Sequence, residues 1–196
     1  MILFIDNYDS FTYNLVQMIG GLNPHIRVIR NDELSVEEIS RLSPSHIILS
    51  PGPGYPKDAG ICEEAVKTFA GSVPVLGVCL GHQGICEVFG ARISHAKKLM
   101  HGKQSMITID SLDPIFQGLK KSIPAARYHS LIAEKDSFPS CLQVIGTDDS
   151  GEIMAVKHKD YPVYGLQFHP ESILTPDGKT ILKNFLSIEI NHKGGK

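Results

Sequence analysis

No run in this 196-residue chain approaches the roughly 18 apolar residues a membrane helix needs. The opening Met1–Ile5 run is too short for a secretory signal and meets Asp6 and Asn7 at once. Charge of one sign is missing too. The formal net charge is −2, and the short basic tail His192–Lys196 does not supply the cationic footprint of a nucleic-acid binder. Four cysteines (Cys62, Cys79, Cys86 and Cys141) form no CxxC pair, which excludes a disulfide scaffold and suits reduced thiols in the cytoplasm. Repeats, low-complexity tracts and long linkers are also lacking. With 42% hydrophobic and 20% charged residues, the chain can bury a core, and it is expected to form a single domain over 1–196.

What is present alternates. The β-branched or apolar runs Met1–Ile5, His25–Arg30, His46–Ser50 and Val73–Val78 read as buried parallel strands. Helical spacing lies between them. Phe11–Leu22 follows a cap at Asp9 or Ser10, and Ser35–Leu42 opens on a capping box with Glu38. Asp58–Ala70 and Leu80–Phe89 complete the helices of this half. Alternation of this kind predicts an α/β fold: an open, mostly parallel sheet with helices on both faces. After Gly90 the runs shorten. Ser105–Asp110, Cys141–Thr147, Ile153–His158 and Val163–Phe168 predict added, partly antiparallel strands, and Pro176–Ile190 a last helix.

Ligands of open α/β sheets sit outside the carboxyl ends of the strands. That edge would carry Asp6–Ser10, Pro51–Gly54, Cys79 and, if the last strand runs the same way, His169 and Glu171. Cys79 stands where an apolar strand stops, with Gly77 and Gly81 on either side. A sharp strand-to-helix turn needs such small neighbours, and the following helix N-terminus favours thiolate. In the blander reading Cys79 is a small buried hydrophobe, as Cys62, Cys86 and Cys141 are taken to be.

His169 would take the thiol proton and return it to a leaving amine, and Glu171 would hold the imidazole in the right tautomer. Alone, each could be an ordinary strand-end or solvent residue. Pro170 between them fixes the local backbone. A metal site from Cys79, His82 and His169 lacks any recognised ligand spacing, so none is expected. Pro51-Gly52-Pro53-Gly54 directly follows a strand, and its glycines let backbone approach a ligand. An amide of Gly52 or Gly54 could pair with that of Leu80 as an oxyanion hole. The loop could also be a plain turn, and no P-loop Lys-Ser/Thr follows it.

These motifs resemble a class I (triad) glutamine amidotransferase, of the small-subunit group shared by anthranilate and aminodeoxychorismate synthases. The matching runs are Asp6–Thr12, Ser50–Gly54, Gly77–Gln83, Met100–Lys103, Arg127–Leu131 and Gln167–Ile173. No catalytic position departs from the pattern. The resemblance implies hydrolysis of L-glutamine to glutamate and ammonia through a Cys79 thioester, without cofactor or metal. It further implies Gly52 and Leu80 in the oxyanion hole, and Gln83, Ser130 and Leu131 around the substrate, with Gly54 nearby. The ammonia would pass to a larger chorismate-binding synthase subunit facing the Met100–Lys103 loop, in tryptophan or folate synthesis. The alternatives are an idle regulatory subunit or a free-standing cysteine hydrolase of γ-glutamyl amides.

Overall fold

The computed structural model describes residues 1–96 and 102–190. The first half alternates as its pattern predicts: β1 (Ile2–Asp6), α1 (Thr12–Gly20), β2 (Ile26–Arg30), α2 (Val36–Leu42), β3 (His46–Leu49), α3 (Cys62–Phe69), β4 (Val75–Val78) and α4 (Leu80–Val88). The second half is rich in strands: β5 (Ile93–His95), β6 (Lys103–Ile109), β7 (Ser122–Arg127), β8 (Leu131–Ala133), β9 (Leu142–Asp148), β10 (Ile153–His158) and β11 (Val163–Leu166), closed by α5 (Gly178–Leu186).

Nine strands form one sheet in the order β2-β1-β3-β4-β11-β10-β9-β6-β7, while β5 and β8 pair separately. The five strands from β2 to β11 are mutually parallel. From β11 to β7 every pairing is antiparallel. The expected α/β class with antiparallel additions is therefore observed. The central strands are buried on both faces because helices cover both. Alternate residues of β1 divide between them: Ile2 and Phe4 pack with Leu15, Ile19, Ile181 and Phe185 of α1 and α5. Leu3 and Ile5 face the opposite side, with Ile39, Val66 and Phe69 of α2 and α3. Full burial of each such side chain contributes about 1.5–3 kcal/mol, so the two-sided β1 is a main anchor of the sheet.

Two expectations need correction. β2 is an edge strand and only partly buried, with Arg27 and Arg30 exposed. Asp9 and Ser10 do not cap α1: the helix begins at Thr12 after a turn in which Asp9 Oδ2 accepts from the Phe11 amide at 2.8 Å. The capping box at Ser35 and Glu38 does form. Three strands, β5, β7 and β8, were not expected. β7 contains Pro124, which an edge strand tolerates because one of its sides needs no ladder bond.

Helices α3 and α4 meet through two carboxylates. Glu63 Oε1 and Glu87 Oε2 are buried and, among the described residues, have no donor, while Lys67 Nζ lies 4.0 Å from Glu63 Oε2. Burial, then the hydrogen bond and charge of Glu87, push Glu63 from 4.5 up to about 7. A raised folded value means that the folded state holds the proton more tightly than the unfolded chain. The stabilisation is complete below about 4.5 and is lost as pH rises through about 7. Glu87→Gln supplies a permanent donor. It should flatten the fall in thermal midpoint between pH 5 and 8 and raise the midpoint at pH 8, as read by circular dichroism melts.

Candidate active site

Because β1, β3, β4 and β11 run parallel, the segments after them leave the sheet at one rim. Those segments hold Asn7, Ser50–Gly54, Cys79 and Gln167–Glu171. The nucleophile candidate and the base candidate are brought together by the β4–β11 pair, whose register sets Val78 opposite Leu166. The Cys79 amide continues that pairing onto the Leu166 carbonyl at 2.8 Å.

Cys79 has φ 52° and ψ −99°, a conformation that costs a non-glycine residue about 1–3 kcal/mol. The neighbouring glycines make the turn possible. A Cβ on Gly77 would stand 2.3 Å from the Gly81 backbone, and one on Gly81 would stand 2.5 Å from the Leu49 carbonyl oxygen. α4 begins at once with Leu80, so its first amides lack intrahelical acceptors and point toward the thiol side of the turn.

His169 is fixed at both ends. Its backbone amide donates to the Ala126 carbonyl at 3.0 Å, bridging to β7, and its carbonyl accepts from Thr175 Oγ1 at 2.7 Å. The ring Nδ1 meets Glu171 Oε1 at 2.6 Å. That contact leaves Nε2 without a conventional partner, and the other side chain acting on the ring is Cys79. Burial alone would push the imidazole down. The hydrogen bonds and charges of Cys79 and Glu171 outweigh it and raise the group to about 10. Such an arrangement favours an imidazolium between the Cys79 sulfur and the Glu171 carboxyl group. Tyr128 and Phe11 meet the ring edge-on, with centroids at 5.0 and 6.0 Å, and limit its rotation.

Cys79 opens into a cavity of about 170 Å³ lined by Gly52, Pro53, Gly54, Gln83, Tyr128, His129, Ser130 and Leu131. All five residues expected to hold the substrate are in that wall. The loop carrying Gly52 is positioned by Asn7, whose Nδ2 donates to the Ser50 carbonyl at 2.9 Å and whose amide donates to Ser50 Oγ at 2.8 Å. Gly52 is required there, since a Cβ would stand 2.5 Å from Asn7 Cβ and 2.8 Å from Leu80 Cδ2. His169 and Glu171 line a second cavity of about 320 Å³ with Phe11, Asn14, Tyr128, Ser172 and Ile173. Tyr128 lines both spaces.

Several expectations resolve differently. Gln83 Nε2 is committed to Leu131 O at 3.0 Å and Gln167 Oε1 at 3.2 Å, which leaves its side-chain oxygen as the end free for a ligand. Met100 and His101 of the Met100–Lys103 loop lie outside the described residues. His82 is fully buried and pushed down to about 3, by burial and then by the charge of His129; its Nε2 lies 3.8 Å from Cys86 Sγ. Cys62 and Cys86 are buried as expected, and burial raises both thiols, Cys62 to about 12.

Asn7, Arg127, His129 and Gln167 received no role from the sequence, although each lies in one of the matching runs. Arg127 is buried and donates to Asp148 Oδ2 at 2.6 Å, Glu152 Oε2 at 2.5 Å and His129 Nε2 at 3.1 Å. Burial, then the Arg127 charge, push His129 down to about 4, so it is neutral near pH 7. The sequence offered no signal for this, because β7 was not expected and the acids lie beyond a turn that no local pattern connects to Arg127.

A family model described as glutamine amidotransferase class-I matches residues 3–188. The chain belongs to this family. The amidotransferase is 54% identical over 186 residues to the aminodeoxychorismate/anthranilate synthase component 2 of Bacillus subtilis, covering 95% of each chain. It is 52% identical over 190 residues to the bifunctional protein TrpGD of Thermotoga maritima, covering 96% of this chain but only 32% of that larger protein. A solved structure from Thermoplasma acidophilum, of a protein assigned to a GMP synthase, superposes with a TM-score of 0.84. That superposition covers 94% of this chain and 91% of the other at 24% identity, a likeness of fold.

The close fit around Gly52 yields a prediction. Gly52→Ala should displace the loop from Asn7 and Leu80 and cut glutamine turnover about 10²-fold, the effect of losing one oxyanion donor. Steady-state glutamate release would show it, with melting curves confirming that the variant folds.

Proposed function

We propose that this chain is the glutaminase subunit of a chorismate-using synthase, working as one domain in the cytoplasm. The amidotransferase family and the relative named aminodeoxychorismate/anthranilate synthase component 2 support the reading. The single observation that carries the chemistry is Cys79 on a strained turn beside a histidine whose far nitrogen is held by Glu171 at 2.6 Å. Four free cysteines suit a reducing compartment.

The mechanism follows from that geometry. Glutamine enters the cavity with its side-chain amide at the turn, where the Cys79 sulfur attacks the amide carbon. The oxygen gains charge and is met by the amides of Gly52 and Leu80. The His169 imidazolium gives its proton to the departing nitrogen, which leaves as ammonia. A thioester remains on Cys79. His169, now neutral, draws a proton from water, which attacks the thioester and releases glutamate. Glu171 keeps the Nδ1 proton in place throughout, so Nε2 does all the exchanging. Ammonia then moves to a larger chorismate-binding subunit, where anthranilate or aminodeoxychorismate is made. A free-standing hydrolase would need no such subunit.

The test separates ammonia production from ammonia use. In the complex, Cys79→Ala should abolish glutamine-dependent synthesis while synthesis from ammonium salts continues at the parent rate. Product fluorescence or chromatography with each chorismate-binding subunit of the same cell checks this. Glutamine use retained by Cys79→Ala would show that the nucleophile lies elsewhere.

A further inference from the structure

One contact of the nucleophile has no role in this mechanism. Gln167, fully buried and the first residue after β11, directs Nε2 at the Cys79 sulfur at 3.7 Å. The orientation of an amide is fixed by its hydrogen bonds, and here the neighbours leave one choice. The Leu131 carbonyl can only accept, so the Gln83 group bonded to it at 3.0 Å must be the amide nitrogen. The same nitrogen reaches Gln167 at 3.2 Å, so the atom it meets there must be the oxygen. The other end of the Gln167 amide, facing the sulfur, is therefore N–H.

The Leu131 carbonyl is itself held by a second donor. Arg127 is always protonated, and its Nε–H donates to His129 Nε2 at 3.1 Å. His129 must then carry its proton on Nδ1, which donates to Leu131 O at 3.1 Å. Arg127 is in turn secured by Asp148 and Glu152. From Arg127 to the sulfur, every link runs in one donor sense or closes on the one shared carbonyl. Arg127, His129, Gln83 and Gln167 are all buried, so water does not compete for these bonds.

On the reading of Cys79 as nucleophile, we propose that Gln167 is a further catalytic residue. Its amide N–H stabilises negative charge on the Cys79 sulfur before attack and again when the thioester breaks. Arg127 and His129 are positioning residues for that donor. No bond to Gln167 forms or breaks; it adds one preset donor to a charged sulfur, as His169 adds a proton carrier.

Alkylation of the full chain by iodoacetamide tests this, because the reagent needs a thiolate but no glutamine pocket. The rate is read at the Cys79 peptide by mass spectrometry, with Cys141 as an internal reference. Gln167→Leu removes the donor. Gln167→Met keeps the length of the side chain but has no N–H or O–H to give the sulfur, so it decides the matter if the leucine variant fails to fold. Each variant should alkylate about tenfold more slowly at pH 7 and reach the parent rate in alkaline solution. The kcat for glutamine hydrolysis should fall by a similar factor, with KM changed less than about twofold. Parent-like alkylation at pH 7 in a folded Gln167→Leu or Gln167→Met protein would overturn the proposal alone. A parent Cys79 no faster than Cys141 would overturn both it and the thiolate reading on which it rests.

Discussion

The parallel pairing of Val75–Val78 with Val163–Leu166 is the constraint on which the site depends. These strands lie far apart in sequence, yet they are fully buried neighbours at the centre of the sheet. Side-chain direction alternates along a strand, so a slip of one residue would turn each apolar contact to the wrong face. That penalty, spread over two packed faces, locks the register. Cys79 and Gln167 are the residues immediately beyond the pair, so their separation is inherited from the core. The chemistry is positioned by burial of aliphatic residues that never touch a substrate.

The strain at Cys79 makes sense against this background. A left-handed backbone at a cysteine is unfavourable by itself. It persists because strand β4 on one side and helix α4 on the other are both fixed, and because Gly77, Gly81 and Leu49 close the space any relaxed turn would need. The outcome is a thiol that is only 7% exposed yet opens into a cavity. Buried thiols elsewhere in the chain are pushed up by desolvation, as at Cys62 and Cys86, where no comparable set of partners surrounds the sulfur. At Cys79 a histidine, a helix N-terminus and a buried amide surround the sulfur instead.

Much of this could be read from the chain alone, for definable reasons. β1, β3 and β4 were visible because strands covered on both faces are continuously apolar. The capping box of α2 was visible because its two reciprocal bonds lie three residues apart. The rim, Cys79, His169, Glu171 and the Gly52 loop followed from strand ends and small residues. β7 escaped because Pro124 reads as a strand breaker, and only its edge position reconciles the two. β5 and β8 span three residues each, too few to show a period. The roles of Asn7, Arg127 and Gln167 were hidden because each rests on partners brought near only by the tertiary fold: Ser50, Asp148 and Gln83.

Two cavities that share Tyr128 give the site its direction. On one side lies the polar cavity with Cys79, walled by backbone from Gly52–Gly54 and Ser130–Leu131. On the other lies a larger space edged by Phe11, Tyr128 and Ile173, the last almost wholly exposed. A charged amino acid is suited by the first and poorly by the second, whose rim offers aromatic and aliphatic surface. Tyr128 belongs to both walls and packs edge-on against the imidazole. Any change of pressure on the aromatic side therefore reaches the imidazole through one shared side chain. The ring is in turn tied to β7 through the Ala126 bridge, one residue from buried Arg127, which holds the donor chain to the sulfur. Imidazole and sulfur are thus governed from the same short strand end, so a shift at residues 126–128 would move the surroundings of both together rather than of either alone.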